Sequence, residues 1–147
     1  MARTLLLFLI SSILAHSFSP ELSRVEPRGG KLGSEIQIQL YGNRLNEPQE
    51  LLLYHKGLTV KSLTPSEDGK SVKAVIAIAP DAPLGEHPMR LRCKDGLTYM
   101  RTFWVGQFPT VMEARSEDKK RDLNNTFKEP QKIDLNVTVQ GVADRED

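Results

Sequence analysis

Hydrophobic and polar residues alternate with a period of two along most of the chain that follows Glu21. The clearest case is "SEIQIQLYG", where Ile36, Ile38 and Leu40 share one face and polar residues occupy the other. Alternation of this kind predicts a half-buried β-strand. Turn-forming residues flank it, with "RGG" on the N-terminal side and "GN" on the C-terminal side. The pattern therefore predicts a strand that covers an apolar core with one face.

Three further runs have the same strand character. Residues 50–54 and the segment "LTVKSL" precede the turn-rich "TPSEDGK". The run "SVKAVIAIA" is apolar on nearly both faces, which favours a position inside its sheet. No helical periodicity appears between these runs. The chain is therefore predicted to be all-β.

The stretch "APDAPLGEHPMRLRCKDG" surrounds one strand with turn formers. Proline cannot donate to a ladder, so Pro88 predicts the start of the strand, and Asp95-Gly96 predicts the hairpin turn after it. The returning strand is "LTYMRTFWVG". Between Pro88 and Asp95, the inward positions are Met89, Leu91 and Cys93, and the outward positions are Arg90, Arg92 and Lys94.

Short strands with a turn every eight to twelve residues or so predict an immunoglobulin-like β-sandwich over residues 22–106. Residues 107–128 carry a mixed-charge run and are predicted to be a charged linker, with a short helix as the alternative. Alternation resumes in "KIDLNVTVQGV", with its apolar positions at Ile133, Leu135, Val137 and Val139. A lone strand cannot bury its face. Residues 129–147 therefore either pair with the first domain or begin an incomplete second β domain.

Residues 1–17 have the layout of a secretory signal peptide: a basic start, a short apolar run and small residues before a cleavage point. We expect the mature chain to be secreted, periplasmic or on the cell surface, with no membrane span after removal of the signal. The formal net charge of +1 argues against nucleic-acid binding, which needs a clear basic excess. Cys93 is the one cysteine, so no intrachain disulfide is expected. It is predicted to be a small apolar residue of the core, with a reactive or intermolecular thiol as the alternative.

Catalytic and metal-binding patterns are not found in the sequence. His55 and His87 are the histidines left after signal removal, and both are predicted to be surface residues outside any nucleophile or metal motif. The acids near the C-terminus, Asp144, Glu146 and Asp147, lack the spacing of a calcium loop and are predicted to be a solvated tail. We expect no catalytic residue, no cofactor and no metal.

The sequence predicts one charged feature on the surface of the sheet, a row of basic side chains. Basic residues at Arg90, Arg92 and Lys94, joined by Arg101 on the neighbouring strand, would form a basic stripe. Such a stripe could bind an acidic polysaccharide or an acidic patch of a protein partner. Alternatively, the basic residues only keep the strand face soluble and discourage edge pairing, and this is the favoured interpretation. Aromatic residues on the neighbouring strand (Tyr99, Phe103 and Trp104) suit either core packing, which is favoured, or a carbohydrate-stacking platform.

The segments "VEPRGGKLGSEIQIQLYGNRL", "APDAPLGEHPMRLRCKDGLTYMRTFWVG" and "FPTVMEA", followed by "LNNTFKEPQKIDLNVTVQGV", resemble the N-terminal part of secreted bacterial proteins that carry a pre-peptidase C-terminal domain. In that family an immunoglobulin-like module similar to IPT/TIG domains precedes the pre-peptidase domain. The usual Glu-Pro-Asn opening of that second domain is absent here, and the sequence ends at "ADRED", where the domain would continue. The resemblance implies a non-catalytic accessory module.

The sequence leaves three functions open. The first is a secreted, non-enzymatic β-sandwich that spaces or docks neighbouring domains or an extracellular partner. The second is the N-terminal part of a longer secreted hydrolase whose catalytic residues lie beyond residue 147. The third is an extracellular glycan-binding module.

Overall fold

The computed structural model describes residues 19–115, 128 and 130–141. It contains strands and no helix within those residues, so the prediction of an all-β chain is confirmed. In chain order the strands are β1 (Glu21–Glu26), β2 (Gly29–Lys31), β3 (Glu35–Asn43), β4 (Pro48–Leu53), β5 (Leu58–Pro65), β6 (Ser71–Ile78), β7 (Gly85–Cys93), β8 (Gly96–Leu97), β9 (Arg101–Gly106), β10 (Thr110–Met112) and β11 (Thr138–Gln140).

Two sheets face each other and form a β-sandwich. The first has the order β1-β3-β6-β5, and the second has the order β2-β9-β7-β4, with β8 paired to β7. The chain changes sheet between β1 and β2, and β2 then runs parallel to β9. As the sequence predicted, the doubly apolar strand β6 lies inside its sheet, between β3 and β5.

The core lies between the two sheets and is made of the alternating inward residues. On β3, Ile38 and Leu40 are buried, and Gln37 is exposed. On β7, Met89, Leu91 and Cys93 are buried, as their spacing predicted. The remaining buried apolar residues come from both sheets and include Leu22, Val25, Leu51, Val72, Ile76, Phe103 and Val105.

Strand β7 differs from its prediction at both ends. It begins at Gly85, so Pro88 lies within the strand, opposite Thr102 of β9. The Pro88 carbonyl accepts a hydrogen bond from the Tyr54 amide, just past the end of β4. Because the nitrogen and carbonyl of one strand residue point to the same side, the missing N–H of Pro88 falls where β4 has already ended. Proline is tolerated there for that reason.

The hairpin turn after β7 also lies one residue earlier than predicted. Cys93 pairs with Gly96, which makes Lys94 and Asp95 the two turn residues. The returning strand is interrupted after Leu97 and resumes at Arg101. In the interruption the buried Thr98 hydroxyl accepts a hydrogen bond from the Leu91 amide at 3.0 Å, and this contact keeps the irregular segment attached to β7.

The glycine pair that the sequence placed in a turn is instead the beginning of the edge strand β2. A Cβ on Gly29 would lie 2.7 Å from the carbonyl oxygen of Trp104, and a Cβ on Gly30 would lie 2.6 Å from Cδ1 of Ile78. Position 29 therefore needs glycine because β2 approaches the backbone of β9 so closely, while at position 30 the Ile78 side chain would have to move. The turn prediction for this pair was wrong.

The last described strand, β11, pairs in parallel with β10; we call this pair the tail ladder. The predicted run of alternation shrinks to three residues, Thr138–Gln140. Ile133 lies outside any strand and is exposed, and the Leu135 side chain is 92% exposed. No second sheet covers these residues in the described part of the chain, so their side chains remain in solvent.

Some predictions fall on residues that the structure does not describe. They are the signal peptide over residues 1–17, most of the predicted linker (residues 116–127) and the acidic residues of the tail after residue 141. The division into a sandwich, a linker and an incomplete second domain stays a prediction. Within residues 19–115, 128 and 130–141, no helix is long and apolar enough to cross a membrane.

Candidate functional site

The basic stripe is present on the outer side of the second sheet, but two of its three charges already have acidic partners. Arg92 forms a salt bridge with Glu50 at 3.0 Å, and Lys94 forms one with Glu47 at 3.1 Å. Arg90 donates from Nε to the Thr98 carbonyl at 2.9 Å. Side-chain carboxylates and a carbonyl therefore occupy much of the hydrogen-bonding capacity that a partner would need.

Arg101 does not line up with these three residues. It lies opposite Met89, and its Nε donates to the Ser23 carbonyl at 3.1 Å, which bonds β9 to β1 of the other sheet. Its Nη1 donates to the Met100 carbonyl. The structure thus brings Arg90, Arg92 and Lys94 together and places Arg101 apart. A binding role for the stripe stays a prediction.

The aromatic residues near β9 divide between the core and the surface. Phe103 is fully buried, as the core-packing interpretation predicted. Trp104 is 52% exposed and Tyr99 is 74% exposed, so for these two the interpretation was wrong. Trp104 alternates with the buried Phe103 and Val105 and therefore faces outward. Tyr99 lies in the interrupted segment before β9.

Glycines leave space around the outward indole of Trp104. Its neighbour on β2 is Gly29, and the next outward residue along β9 is Gly106. A Cβ on Gly106 would lie 3.8 Å from Cδ1 and 3.9 Å from Nε1 of the indole, so the ring leans toward that position. Because neither glycine carries a side chain, the indole stays open to solvent on these sides.

Two adjoining cavities meet at this indole. One has a volume of about 140 Å³ and lies between the sandwich and the tail ladder; the other, of about 270 Å³, extends toward Leu84. We call the two together the Trp104 cleft, defined by the residues that line both cavities: Trp104, Gly106, Phe108 and Thr138. The Phe108 side chain is also exposed, so the cleft offers two aromatic side chains to solvent.

Hydrogen-bond donors lie at one side of the Trp104 cleft. The Arg28 amide donates to Gln140 Oε1, which ties β11 to the start of β2 and leaves the amino group of Gln140 with no protein acceptor among the described residues. The exposed guanidinium of Arg28 forms no ion pair within the described chain. Of the described residues that line the two cavities, Arg28 is the one that carries a charge.

The histidines form a second cluster of potentially reactive groups. His87 was predicted at the surface and is buried, because it shares the inward face of β7 with Met89 and Leu91. Its Nε2 donates to the Pro83 carbonyl at 2.6 Å, and its ring meets His55 edge-on with 5.2 Å between centroids. No group of three or more metal-ligating side chains occurs in the described residues. The buried Nδ1 of His87 has no hydrogen-bond partner among the described residues.

Cys93 is a free cysteine in the core, as predicted. Burial raises the pKa of the Cys93 thiol, and the negative charge of Asp95 raises it further. Because the thiolate is the reactive form, this thiol is held in its unreactive state at neutral pH.

Most residues of the Trp104 cleft could not be identified from the sequence. The outward position of Trp104 could have been found, since Phe103 and Val105 on either side suit the core. Arg28 and Gln140 could not, because they are 112 residues apart and meet only when β11 returns to the sandwich.

No family model matches this chain, and no curated protein matches its sequence. Among solved structures it is similar to SGBP-B from a complex xyloglucan utilization locus in Bacteroides uniformis, with 15% identity over 58% of this chain and 22% of that one (TM-score 0.42). It is also similar to SGBP-B of the Bacteroides ovatus mixed-linkage glucan utilization locus, with 22% identity over 64% of this chain and 24% of that one (TM-score 0.42). The chain thus spans less than a quarter of the length of these two proteins, and such distant likenesses assign it no ligand.

Proposed function

We propose that the chain is an extracellular, non-enzymatic module that binds polysaccharide at the Trp104 cleft. The observation that carries the proposal is the half-exposed indole of Trp104, bordered by glycines and next to Phe108. A sugar ring has apolar C–H faces that pack on an aromatic ring, and hydroxyl groups at its rim that need polar partners. The cleft combines both kinds of surface.

The size and shape of the cleft also support a chain-like ligand. The 140 Å³ and 270 Å³ cavities are each small and share the aromatic residues between them. Pockets that enclose a whole drug-sized ligand are typically about 300–1,000 Å³. Two small adjoining cavities suit successive rings of a polymer that passes over the surface, with Trp104 and Phe108 between them.

Secretion and the accessory role come from the sequence. The predicted signal peptide and the resemblance to secreted proteins with a pre-peptidase C-terminal domain support an extracellular location. We keep the relation to IPT/TIG-like modules as part of the proposal. A catalytic role for this chain has no support from its described side chains, and a hydrolase activity would depend on residues beyond those of this sequence.

The proposal is tested by the retention of the mature chain on a panel of polysaccharides that includes xyloglucan, mixed-linkage glucan and polygalacturonate. We expect at least one of them to bind, and we expect Trp104→Ala to weaken that binding at least tenfold. A loss of this size corresponds to about 1.4 kcal/mol, within the range of one aromatic stacking contact.

The matched control is Tyr99→Ala, which removes a more exposed aromatic ring that does not line the cleft. It should bind like the unaltered chain. If the two variants weaken binding equally, the cleft is not the site. If no polysaccharide of the panel is retained, the glycan-binding proposal fails.

A second candidate function is the spacing of neighbouring domains, and the positions at which the chain enters and leaves the sandwich favour it. A Cβ on Gly96 would lie 3.3 Å from Cδ of Pro20, so β1 begins near the hairpin at the C-terminal end of β7, and β9 ends at Gly106 beside the N-terminal end of β7. Nine residues of strand separate these ends by roughly 26 Å. A module that the chain enters at one end and leaves at the other holds its neighbours apart. This role stands alone if the panel binds nothing.

A further inference from the structure

From the donors around the Trp104 cleft, we infer that its ligand is an acidic polysaccharide and that the Arg28 guanidinium binds a uronate carboxylate on it. This inference rests on the proposed glycan-binding function and names the chemical class of the ligand. It assigns the charge recognition to Arg28 and not to the predicted basic stripe.

The basic residues of the stripe are already bonded to other groups of the protein. Arg92 and Lys94 are neutralised by Glu50 and Glu47, and Arg90 is bonded to the Thr98 carbonyl. A carboxylate that approached Arg92 or Lys94 would compete with the acidic side chain already bound there, and Arg90 is half-buried with its Nε donating to a carbonyl. The net attraction along β7 is therefore small, although three basic side chains lie in a row.

Arg28 differs from Arg92 and Lys94 because its guanidinium has no acidic partner in the described chain. Its guanidinium is exposed, lines the same cavity as Trp104 and has no carboxylate partner within the described chain. Guanidinium presents a planar array of donors that matches a carboxylate in a bidentate arrangement. A charged group left unpaired beside an aromatic platform has its full bonding capacity available for a ligand.

The Trp104 cleft offers several unpaired hydrogen-bond donors to a ligand. Three of its polar side-chain groups are donors with no protein acceptor among the described residues: the Arg28 guanidinium, the amino group of Gln140 and the indole N–H of Trp104. The Thr138 hydroxyl beside them can both donate and accept. A carboxylate is an acceptor without a donor, so it suits this set better than a hydroxyl, which is both. The pyranose ring of a uronate can stack on Trp104 while its carboxylate reaches Arg28.

The experiment compares polygalacturonate with the same polymer after full methyl esterification, which removes the charge and keeps the backbone. We expect the unaltered chain to bind the acidic form at least tenfold more tightly than the ester. We expect Arg28→Gln to abolish that preference, and we expect added salt to weaken binding of the acidic form. The control is Arg92→Gln, which removes the same charge from the stripe and should keep the preference.

The possible outcomes separate the inference from the proposed function. Equal binding of the acidic and esterified polymers, with Trp104→Ala still harmful, overturns the inference and leaves glycan binding intact. An equal loss in Arg28→Gln and Arg92→Gln also overturns it, because the effect would then come from overall charge. Binding to neither polymer nor to any neutral glucan overturns both. Thermal unfolding of each variant confirms that the fold is kept, as exposed positions predict.

Discussion

The sandwich and the tail ladder are held together by different kinds of contact. In the sandwich, two sheets enclose an apolar core whose residues are almost completely buried. In the tail ladder, two strands of three residues have no sheet above them within the part of the chain that the structure describes, and Val139 is half exposed. Hydrogen bonds stabilise the ladder instead. The Gln131 side chain donates to the Met112 carbonyl and accepts from the Ala114 amide, and the Gln140 side chain accepts from the Arg28 amide, which connects the ladder to the sandwich.

This difference explains where the cleft lies. A closed core leaves no room for a ligand, and a free two-stranded ladder is too weak to shape one. The Trp104 cleft forms where the rigid sheet meets the ladder, with Trp104 from the first and Thr138 from the second. The sandwich should therefore set the stability of the molecule, and the ladder should set the shape of the cleft.

The largest expected effect is on the sandwich. Ile38→Asp places an unpaired charge in the core and should cost several kcal/mol of a total stability of roughly 5–15 kcal/mol. Urea unfolding followed by circular dichroism measures the loss. The exposed neighbour Gln37→Asp is the control and should change the unfolding midpoint little. Equal shifts in the two variants would contradict a half-buried β3.

A smaller effect is expected at Gly29 of β2, the edge strand of the sandwich beside the tail ladder. Gly29→Ala forces a methyl group against the backbone carbonyl of Trp104, so β2 must move away from β9. We expect a loss of about 1–3 kcal/mol in the free energy of unfolding, as for other overpacked sites. Gly106→Ala is the matched control, since its Cβ would meet the indole at ordinary contact distance. If Gly106→Ala is the more harmful change, the close approach of β2 is not what requires glycine at position 29.

The smallest effect is expected in the tail ladder. Gln131→Ala removes two hydrogen bonds and should lower the local opening free energy of β10 and β11 by roughly 1 kcal/mol. Amide hydrogen exchange should speed up at residues 112–114 and 138–140, with the melting temperature of the sandwich unchanged. Gln37→Ala, whose side chain forms no hydrogen bond in the described structure, should alter neither. A lower melting temperature in Gln131→Ala would mean that the ladder and the sandwich unfold as one unit.

The sandwich could be predicted because its signal is local. Alternation in β3 and β7 tells which residues face the core without any knowledge of the partner strand. The errors arise where the partner decides. Pro88 is accommodated by the end of β4, and Gly29 is needed because of β9; neither strand can be placed from the residues around those positions.

The tail and the cleft were harder to predict for the same reason. Ile133 and Leu135 follow the alternation of a strand, yet a strand also requires a neighbour, and only Thr138–Gln140 has one in the described structure. The cleft depends on the return of that short strand to the sandwich, which joins Gln140 to Arg28. The basic stripe was visible in the sequence, but the carboxylates that neutralise it come from β4 and the loop before it.

The buried thiol of Cys93 also has a consequence for the lifetime of the protein in the extracellular location that we propose. Cys93 is the one cysteine of this sequence and is free in the structure, so in an oxidising compartment it would be a reduced sulfur without an intrachain partner. While the two sheets stay closed, the sulfur is hidden from oxidants and from other molecules. When the sandwich opens, two exposed thiols can lose their protons and two electrons to an oxidant and join as a disulfide between molecules. The rate of such covalent dimerisation therefore records how often the fold opens.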